Sequence, residues 1–281
     1  MKNTSKKINI FEVGIAYKKA GEYRKALVCF KKAVSIKGCE DDANINIMEM
    51  LLKTEAYEKA LQFIAHVKIS HQYNYQRYVF QAQCSQALGK CSEAIKYSIK
   101  AGMCAKEASD AQSVKKSLAH LYAQQKDFKR ALGFIESLEK YDEIDDDMLL
   151  LKGICLKEQG NYDASLKCLA KVVEGKRRDM AGEIMGDIYV RQNKFSLGKA
   201  HYIKLLENAN EKEQSYLFNY NLARLYVANN DYIGGRPFLL KWYHHVDEKK
   251  NIFLKNKLLN IIEYADKKTI LKSKPIEMTL Q

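Results

Sequence analysis

The stretch Gly14–Val34, GIAYKKAGEYRKALVCFKKAV, decides the fold of this chain. Within it, Gly21 precedes Tyr23, and Ala26 follows the tyrosine three residues later. An aromatic residue followed three places later by a small one returns five more times, and Cys91 and Ala94 hold the same two places with the aromatic residue replaced. The first residues of the couples, which we call anchors, are Tyr23, Tyr57, Cys91, Phe128, Tyr162, Phe195 and Tyr232. Their spacings of 34, 34, 37, 34, 33 and 37 residues predict a stack of similar structural units.

Each unit carries a second pattern around its anchor. A small residue stands nine places before the anchor in six of the seven units, as at Gly14 and Gly153, and Met48 is the exception. Seven places after the anchor the residue is large, as at Phe30 and Leu169. Because steps of three, four and seven are helical steps, each unit is predicted to be a pair of helices. Glycine or asparagine lies between the two helices in five units, where either residue tolerates the left-handed conformation that ends a helix. These positions are Gly21, Gly89, Gly160, Asn193 and Asn230.

These features resemble the tetratricopeptide repeat, a helix–turn–helix unit of 34 residues. The resemblance covers about seven repeats over residues 7–249 and implies an all-α fold, a right-handed α-solenoid whose first helices line a concave groove. Repeats 2 and 3 depart from the pattern, with Met48 at a small position and Ser85, Cys91 and Ser98 at large ones. We therefore predict a superhelix over 1–249, a capping helix over 250–273 and a tail over 274–281. The two 37-residue spacings predict extra residues in the connections at 103–112 and 206–216.

Composition limits the class of protein. The chain has 281 residues and only two prolines, Pro237 and Pro275, so little opposes helix formation. No stretch approaches the roughly 20 apolar residues that span a bilayer. Seven cysteines without a C-x-x-C motif suit a reducing compartment, so we predict a cytoplasmic protein, and the Ile-, Lys- and Asn-rich composition suggests a bacterial source.

No catalytic or metal-binding constellation emerges from the sequence. Cys84 and Cys155 hold equivalent places that apolar residues fill in other repeats, which predicts buried thiols. His201 stands where Phe63 and Phe134 stand in other repeats, which predicts a packed ring. No glycine-rich phosphate loop occurs, and the acidic run at 142–147 suits the start of the next helix. We predict a protein that is not an enzyme and has no metal and no cofactor.

The net charge of +13 raises nucleic acid binding as an alternative. The lysines are scattered along the chain, however, and the predicted groove positions are not enriched in arginine. We therefore rank nucleic acid below protein as the partner.

The resemblance places the second, fifth, ninth and twelfth residues of each first helix in the groove. Several of these positions are apolar, and apolar side chains on a concave face favour a partner. The predicted partner-binding residues are Ile8, Phe11, Ile15, Ile45, Leu52, Leu150, Ile154, Tyr220, Arg224 and Val227. We expect the strip from Ile8 to Ile15 to be surplus to the core.

The sequence thus favours a non-enzymatic scaffold, an adaptor or a chaperone-like protein, that binds an apolar helical or extended segment of another protein in its groove. The segment can also belong to a second copy of this chain. The alternatives are a basic scaffold that binds nucleic acid and a regulatory module that senses a peptide or a receiver domain.

Overall fold

The computed structural model describes residues 9–141, 144–173, 175–207 and 212–243, together with residues 260, 263, 264 and 267. In these ranges the regular structure consists of fourteen α-helices, which follow one another as seven pairs, and one short 3-10 helix, His71–Tyr73. The helices of the first four pairs are α1 Ile10–Lys19 and α2 Tyr23–Ala33, α3 Glu40–Lys53 and α4 Tyr57–His66, α5 Asn74–Ala87 and α6 Cys91–Cys104, and α7 Ala108–Gln124 and α8 Phe128–Glu139. The last three pairs are α9 Asp146–Glu158 and α10 Tyr162–Leu169, α11 Gly175–Arg191 and α12 Phe195–Glu207, and α13 Lys212–Ala228 and α14 Tyr232–Tyr243. The predicted all-α fold class is confirmed.

Every anchor predicted from the sequence is the first residue of a second helix. Two residues before each anchor the backbone is left-handed, and the five predicted Gly and Asn positions all have positive φ. The two remaining turns have Glu55 at φ 57° and Lys126 at φ 62° in the same place. In the first turn the Gly21 N–H donates to Lys18 O (3.1 Å) and the Glu22 N–H to Tyr17 O (2.9 Å), which satisfies the last carbonyls of α1.

The chain divides into two compact units, Met1–Glu143 and Ile144–Gln281. Unit 1 contains α1–α8 and unit 2 contains α9–α14. Inside each unit, helices that follow one another pack together, and a first helix also contacts the next first helix, as in the couples α3/α5, α9/α11 and α11/α13. The predicted capping helix and the tail lie outside the residues that the structure describes in continuous ranges.

The small and large positions of the sequence pattern meet inside the helix pairs. A Cβ atom added to Gly14 would lie 2.8 Å from the Phe30 ring, and one added to Gly153 would lie 2.4 Å from Leu169. A side chain at either glycine would overlap its neighbour, so the absence of one allows the two helices to cross closely. Phe30 and Leu169 are both buried as a result. The core is thus a series of such contacts, repeated from pair to pair.

The extra residues predicted in the connection at 103–112 lie mostly within helices. The α6 helix runs to Cys104, α7 begins at Ala108, and only three residues separate them. The reason is local: residues 108–112, ASDAQ, contain neither glycine nor proline, and Asp110 adds a favourable acidic charge to the first turn of α7. The second predicted insertion, at 206–216, falls partly on residues that the structure does not describe.

The acidic run acts at the start of α9 as predicted. The Asp145 carboxylate accepts a hydrogen bond from the Met148 N–H at 2.9 Å, which caps the helix, and Asp146 and Asp147 lie in its first turn. No helix in the described ranges combines the length and apolar character that crossing a membrane requires.

Candidate functional site

The first helices of successive pairs are joined by polar contacts, so within each unit they form one continuous surface, which we call the first-helix face. In unit 1 the Lys18 ammonium of α1 donates to Asn46 Oδ1 of α3 at 3.0 Å and pairs with Glu49 at 2.5 Å. The Tyr73 hydroxyl, just before α5, donates to Asp42 of α3 at 2.7 Å. These contacts hold the neighbouring helices in register along the face.

The predicted residues Phe11 and Ile15 lie on this face but take part in the core. The Phe11 ring packs edge-on against Phe30, with ring centroids 5.5 Å apart. Ile15 and, on α3, Leu52 are half-buried and contact the same cluster. The expectation that this strip is surplus to the core is therefore wrong for Phe11 and Ile15, because both side chains pack against the buried cluster that contains Phe30 of α2. Ile8 lies outside the described residues.

Ile45 differs from these residues. It is half-buried on α3, one turn before the pairing residue Glu49, and it lies outside the cluster around Phe30. Its side chain is therefore partly accessible and does not belong to the buried cluster around Phe30. Leu52, two turns further along α3, adds the exposed part of its side chain to the same helix face.

In unit 2, two predicted residues on neighbouring turns of α9 differ in burial. Leu150 is only 7% exposed and packs in a cluster with Leu169 and Ile188, so it has little surface to offer a partner. Ile154, one turn further along α9, is half-buried and packs against the same cluster with the rest of its side chain accessible. The groove assignment thus fails for Leu150 because α10 and α11 close over it.

Charged side chains link the three first helices of unit 2. Asp187 of α11 lies 3.9 Å from the Lys157 ammonium of α9 and 3.9 Å from the Arg224 guanidinium of α13. The Lys157 side chain is 12% exposed and that of Arg224 is 56% exposed. The two cations therefore differ in accessibility: the Lys157 ammonium is enclosed between helices, whereas the Arg224 guanidinium is largely exposed.

Arg224 belongs to an aromatic stack at the end of this face. Its guanidinium carbon lies 5.4 Å from the centroid of the Tyr220 ring, and Tyr220 packs against Trp242 with centroids 4.2 Å apart. Val227 is half-buried and packs against the neighbouring core of Ala223 and Leu239. The predicted residues Tyr220, Arg224 and Val227 are therefore brought together, and each remains partly exposed.

The middle of α11 carries an acidic row at helical spacing, Asp179, Glu183 and Asp187. Burial raises the pKa of the Glu183 carboxyl, and the charges of the other two acids raise it further. Burial also lowers the pKa of His201, whose ring packs against Tyr189 and whose Nε2 lies 2.9 Å from Gly182 O. The predicted packing of this histidine is confirmed.

The cysteines show the burial that the sequence predicted. Cys84 and Cys155 are fully buried, and burial raises the pKa of each thiol to about 11. In the described ranges no three His, Cys, Asp or Glu side chains converge in a manner that could hold a metal ion. The candidate site is a surface of apolar, aromatic and charged side chains, which are suited to contact another molecule.

A pocket in unit 1 was not predicted. It has a volume of about 110 Å³ and lies among α5, α6 and α7, with Ala82, Ser98 and Ala101 among its lining residues. The signal was present in the sequence, because Ser98 stands at a position where most repeats have a large residue.

The known proteins that this chain resembles are also built from pairs of helices. Residues 10–38 match the model of the tetratricopeptide repeat. A search of curated proteins found no match. Among solved structures, a tetratricopeptide repeat protein from Parabacteroides merdae is 17% identical and has a TM-score of 0.61; the match covers 90% of this chain and 97% of the other.

Two further structures have a similar fold. The C-terminal part of a TPR repeat-containing protein from Cytophaga hutchinsonii is 16% identical, with 85% of this chain and 97% of the other covered and a TM-score of 0.64. The apo form of the quorum sensor NprR from B. thuringiensis is 13% identical, with 91% of this chain and 80% of the other covered and a TM-score of 0.60. The helix pairs and the match of the first repeat define an α-helical repeat fold. This chain has the fold of tetratricopeptide-repeat proteins, its residues 10–38 match that repeat, and seven helix pairs lie within the residues that the structure describes.

Proposed function

We propose that this protein is a non-enzymatic scaffold that binds a segment of another protein along the first-helix face of unit 1. The observation that carries this proposal is Ile45, an apolar side chain that the core leaves half-buried at the centre of the face. Leu52 continues its apolar surface, and the Lys18–Glu49 ion pair lies beside it. A partner segment with apolar side chains at helical or extended spacing complements this combination.

The first-helix face of unit 2 is proposed as a further contact region. Tyr220 and Arg224 are residue types that carry much of the binding energy in protein interfaces. Their stacking restricts both side chains before a partner arrives, which lowers the entropic cost of binding. Ile154 and Val227 supply half-buried apolar surface on the same unit.

The proposal includes adaptor or chaperone-like action in the cytoplasm of a bacterium. The seven cysteines all lie in the described part of the chain and form no disulfide bond there, which suits a reducing compartment. The quorum sensor NprR and part of one chain in the structure of the APC/C hetero-tetramer Cut9-Hcn1 share this fold at low identity. Because one fold serves such different proteins, the partner must be identified through the residues of the face.

The test is affinity capture with matched variants. Ile45→Ser removes the apolar contact, and Val28→Ser makes the same kind of change on α2, where Val28 is 54% exposed and away from the first helices. The native protein and both variants are immobilised and exposed to a lysate of the source organism, with and without nuclease, and captured proteins are identified by mass spectrometry. The binding of each captured protein is then measured with purified components.

We expect a protein that the native chain and Val28→Ser capture equally and that Ile45→Ser binds roughly 30-fold more weakly, the usual effect of losing an interface anchor. Equal capture by all three proteins would show that the face is not the binding site. Capture that nuclease abolishes would favour nucleic acid as the ligand. Light scattering on the three proteins tests self-association, which would make a second copy of this chain the partner.

A further inference from the structure

The third repeat contains a pocket that the other repeats fill with a side chain. We call it the repeat-3 pocket; its volume is about 110 Å³, and it lies among α5, α6 and α7 of unit 1. Ser98 on α6 faces it from a position where the neighbouring repeats have Ile64 and Ile135. Ala82, opposite on α5, is as small as Ala119 at the equivalent place in repeat 4. Two small residues thus meet where one large residue normally packs against a small one.

The floor of the pocket carries an unsatisfied polar group. Ser98 is 2% exposed, and its Oγ atom makes no hydrogen bond to any described residue. A buried hydroxyl without a partner destabilises a folded protein, so a serine that is neither packed nor bonded needs a reason at this place. A ligand group that donates to or accepts from this hydroxyl supplies one.

The mouth of the pocket opens on the first-helix face. Tyr75 and Ser117 are half-buried and Ser113 is exposed, so the rim of the pocket carries three hydroxyl groups. Val79 and Gln83 of α5 complete the opening at positions where the repeat pattern places groove residues. The pocket is therefore reached from the same surface on which the partner segment is proposed to lie.

Among the described residues, the nine that line the repeat-3 pocket carry no charged side chain. Burial raises the pKa of Tyr75 to about 12, so its hydroxyl is neutral at physiological pH. A charged group entering this pocket would lose its hydration without gaining a counterion, which is unfavourable. A purely apolar group would leave the Ser98 hydroxyl unsatisfied. An uncharged group with hydrogen-bonding atoms avoids both costs.

We propose that the repeat-3 pocket receives one uncharged hydrogen-bonding side chain of the partner segment, of the size of threonine, asparagine or glutamine. The inference rests on the proposed function, since the segment that carries this side chain is the one bound along the first-helix face. It adds a specificity determinant: the apolar surface at Ile45 holds the segment, and the pocket selects one residue of it.

The experiment uses the full chain and random peptides displayed on phage. Peptides retained by the native protein are synthesised with a fluorophore, and their affinities are measured by anisotropy against the native protein, Ser98→Ile and Ser92→Ile. Ser98→Ile fills the pocket as isoleucine does in repeats 2 and 4, so we expect a raised thermal midpoint. Ser92→Ile makes the same change at an exposed position of the same helix.

We expect the selected peptides to share one Thr, Asn or Gln. Ser98→Ile should weaken their binding at least about tenfold, an effect typical of a filled anchor pocket, while Ser92→Ile leaves it unchanged. Changing the shared residue to alanine should weaken binding to the native protein but not to Ser98→Ile, because the pocket is then already lost.

Two results would overturn the inference. If the peptides bind Ser98→Ile as tightly as the native protein but lose affinity for Ile45→Ser, the face binds a segment and the pocket is only a packing defect. If the selected peptides share a charged residue instead, the assignment of the side chain is wrong. Failure of every peptide to bind the native protein would contradict the proposed function itself, and the inference with it.

Discussion

Leu169 occupies the space that a side chain at Gly153 would need, since a Cβ on the glycine would lie 2.4 Å from its Cδ2 atom. Gly186 and Tyr202 repeat the relationship one repeat later, with the added Cβ at 2.0 Å from the ring. In both couples the residues lie nine places before and seven places after an anchor. The close crossing of the two helices in a pair therefore depends on one missing side chain.

Gly153→Ala should destabilise the protein by about 2 kcal/mol, because Leu169 is buried and cannot move aside freely. Gly133→Ala is the matched control, since Gly133 lies in α8 and an added Cβ would meet no described atom within 4 Å apart from its chain neighbours and the backbone of its own helix. That change should stabilise by up to about 1 kcal/mol through helix propensity alone. Urea unfolding of both variants measures the two effects, and equal stability of the two variants would show that the crossing tolerates a methyl group.

Glu55 and Lys126 hold left-handed positions that glycine or asparagine holds in the other five turns. Glu55→Gly and Lys126→Gly should each stabilise the protein by about 1 kcal/mol, because residues with a Cβ adopt this conformation at a cost. Gly89→Ala tests the reverse at the equivalent turn, where an added Cβ meets no atom within 4 Å and only the backbone conformation matters. It should destabilise by about 1 kcal/mol. The denaturant concentration at the midpoint of unfolding measures each change in stability. A loss of stability in both glycine variants would contradict a cost of the left-handed conformation at Glu55 and Lys126.

Glu183 should make stability depend on pH. Burial, and then the charges of Asp179 and Asp187, raise the pKa of this carboxyl above its ordinary value of 4.5. The protonated Glu183 carboxyl contributes to the free energy of unfolding. This contribution is fully present below the ordinary pKa of 4.5 and is lost as the pH rises through the raised pKa. Glu183→Gln should therefore be more stable than the native protein at pH 7 and equally stable at pH 4.

Thermal midpoints between pH 4 and pH 7 test this, with Glu58→Gln, at an exposed position of α4, as the control. A glutamine variant that follows the native curve throughout would show that Glu183 does not titrate with folding.

The cysteines should react in the order of their burial. Cys84 and Cys155 are fully buried with a pKa of about 11, whereas Cys39 and Cys104 are partly exposed. Because the thiolate is the nucleophile, iodoacetamide at pH 8 should modify the partly exposed pair well before the buried pair. Mass spectrometry of the digested protein follows each site. Equal rates in the folded protein would mean that the core opens more readily than this packing implies.

Much of the fold could be read from spacing alone. The seven anchors mark the first residues of the second helices, and the Gly and Asn positions before five of them are left-handed. These features are local, since helix periodicity and a left-handed residue depend on neighbours within a few positions. Glu55 and Lys126 escaped prediction because neither residue type favours the conformation that the surrounding turn imposes on it.

The candidate site was only partly predictable. The sequence by itself determined that these residues form paired helices, and it marked which positions of the first helices share a face, because both follow from helical steps along one chain. Only the tertiary structure decided which of those side chains stay at the surface. Leu150 is covered while Ile154 one turn later is not, and Phe11 contacts Phe30 while Ile45 lies outside that core. Burial depends on how closely neighbouring helices approach, and the pocket at Ser98 likewise exists only where three helices meet.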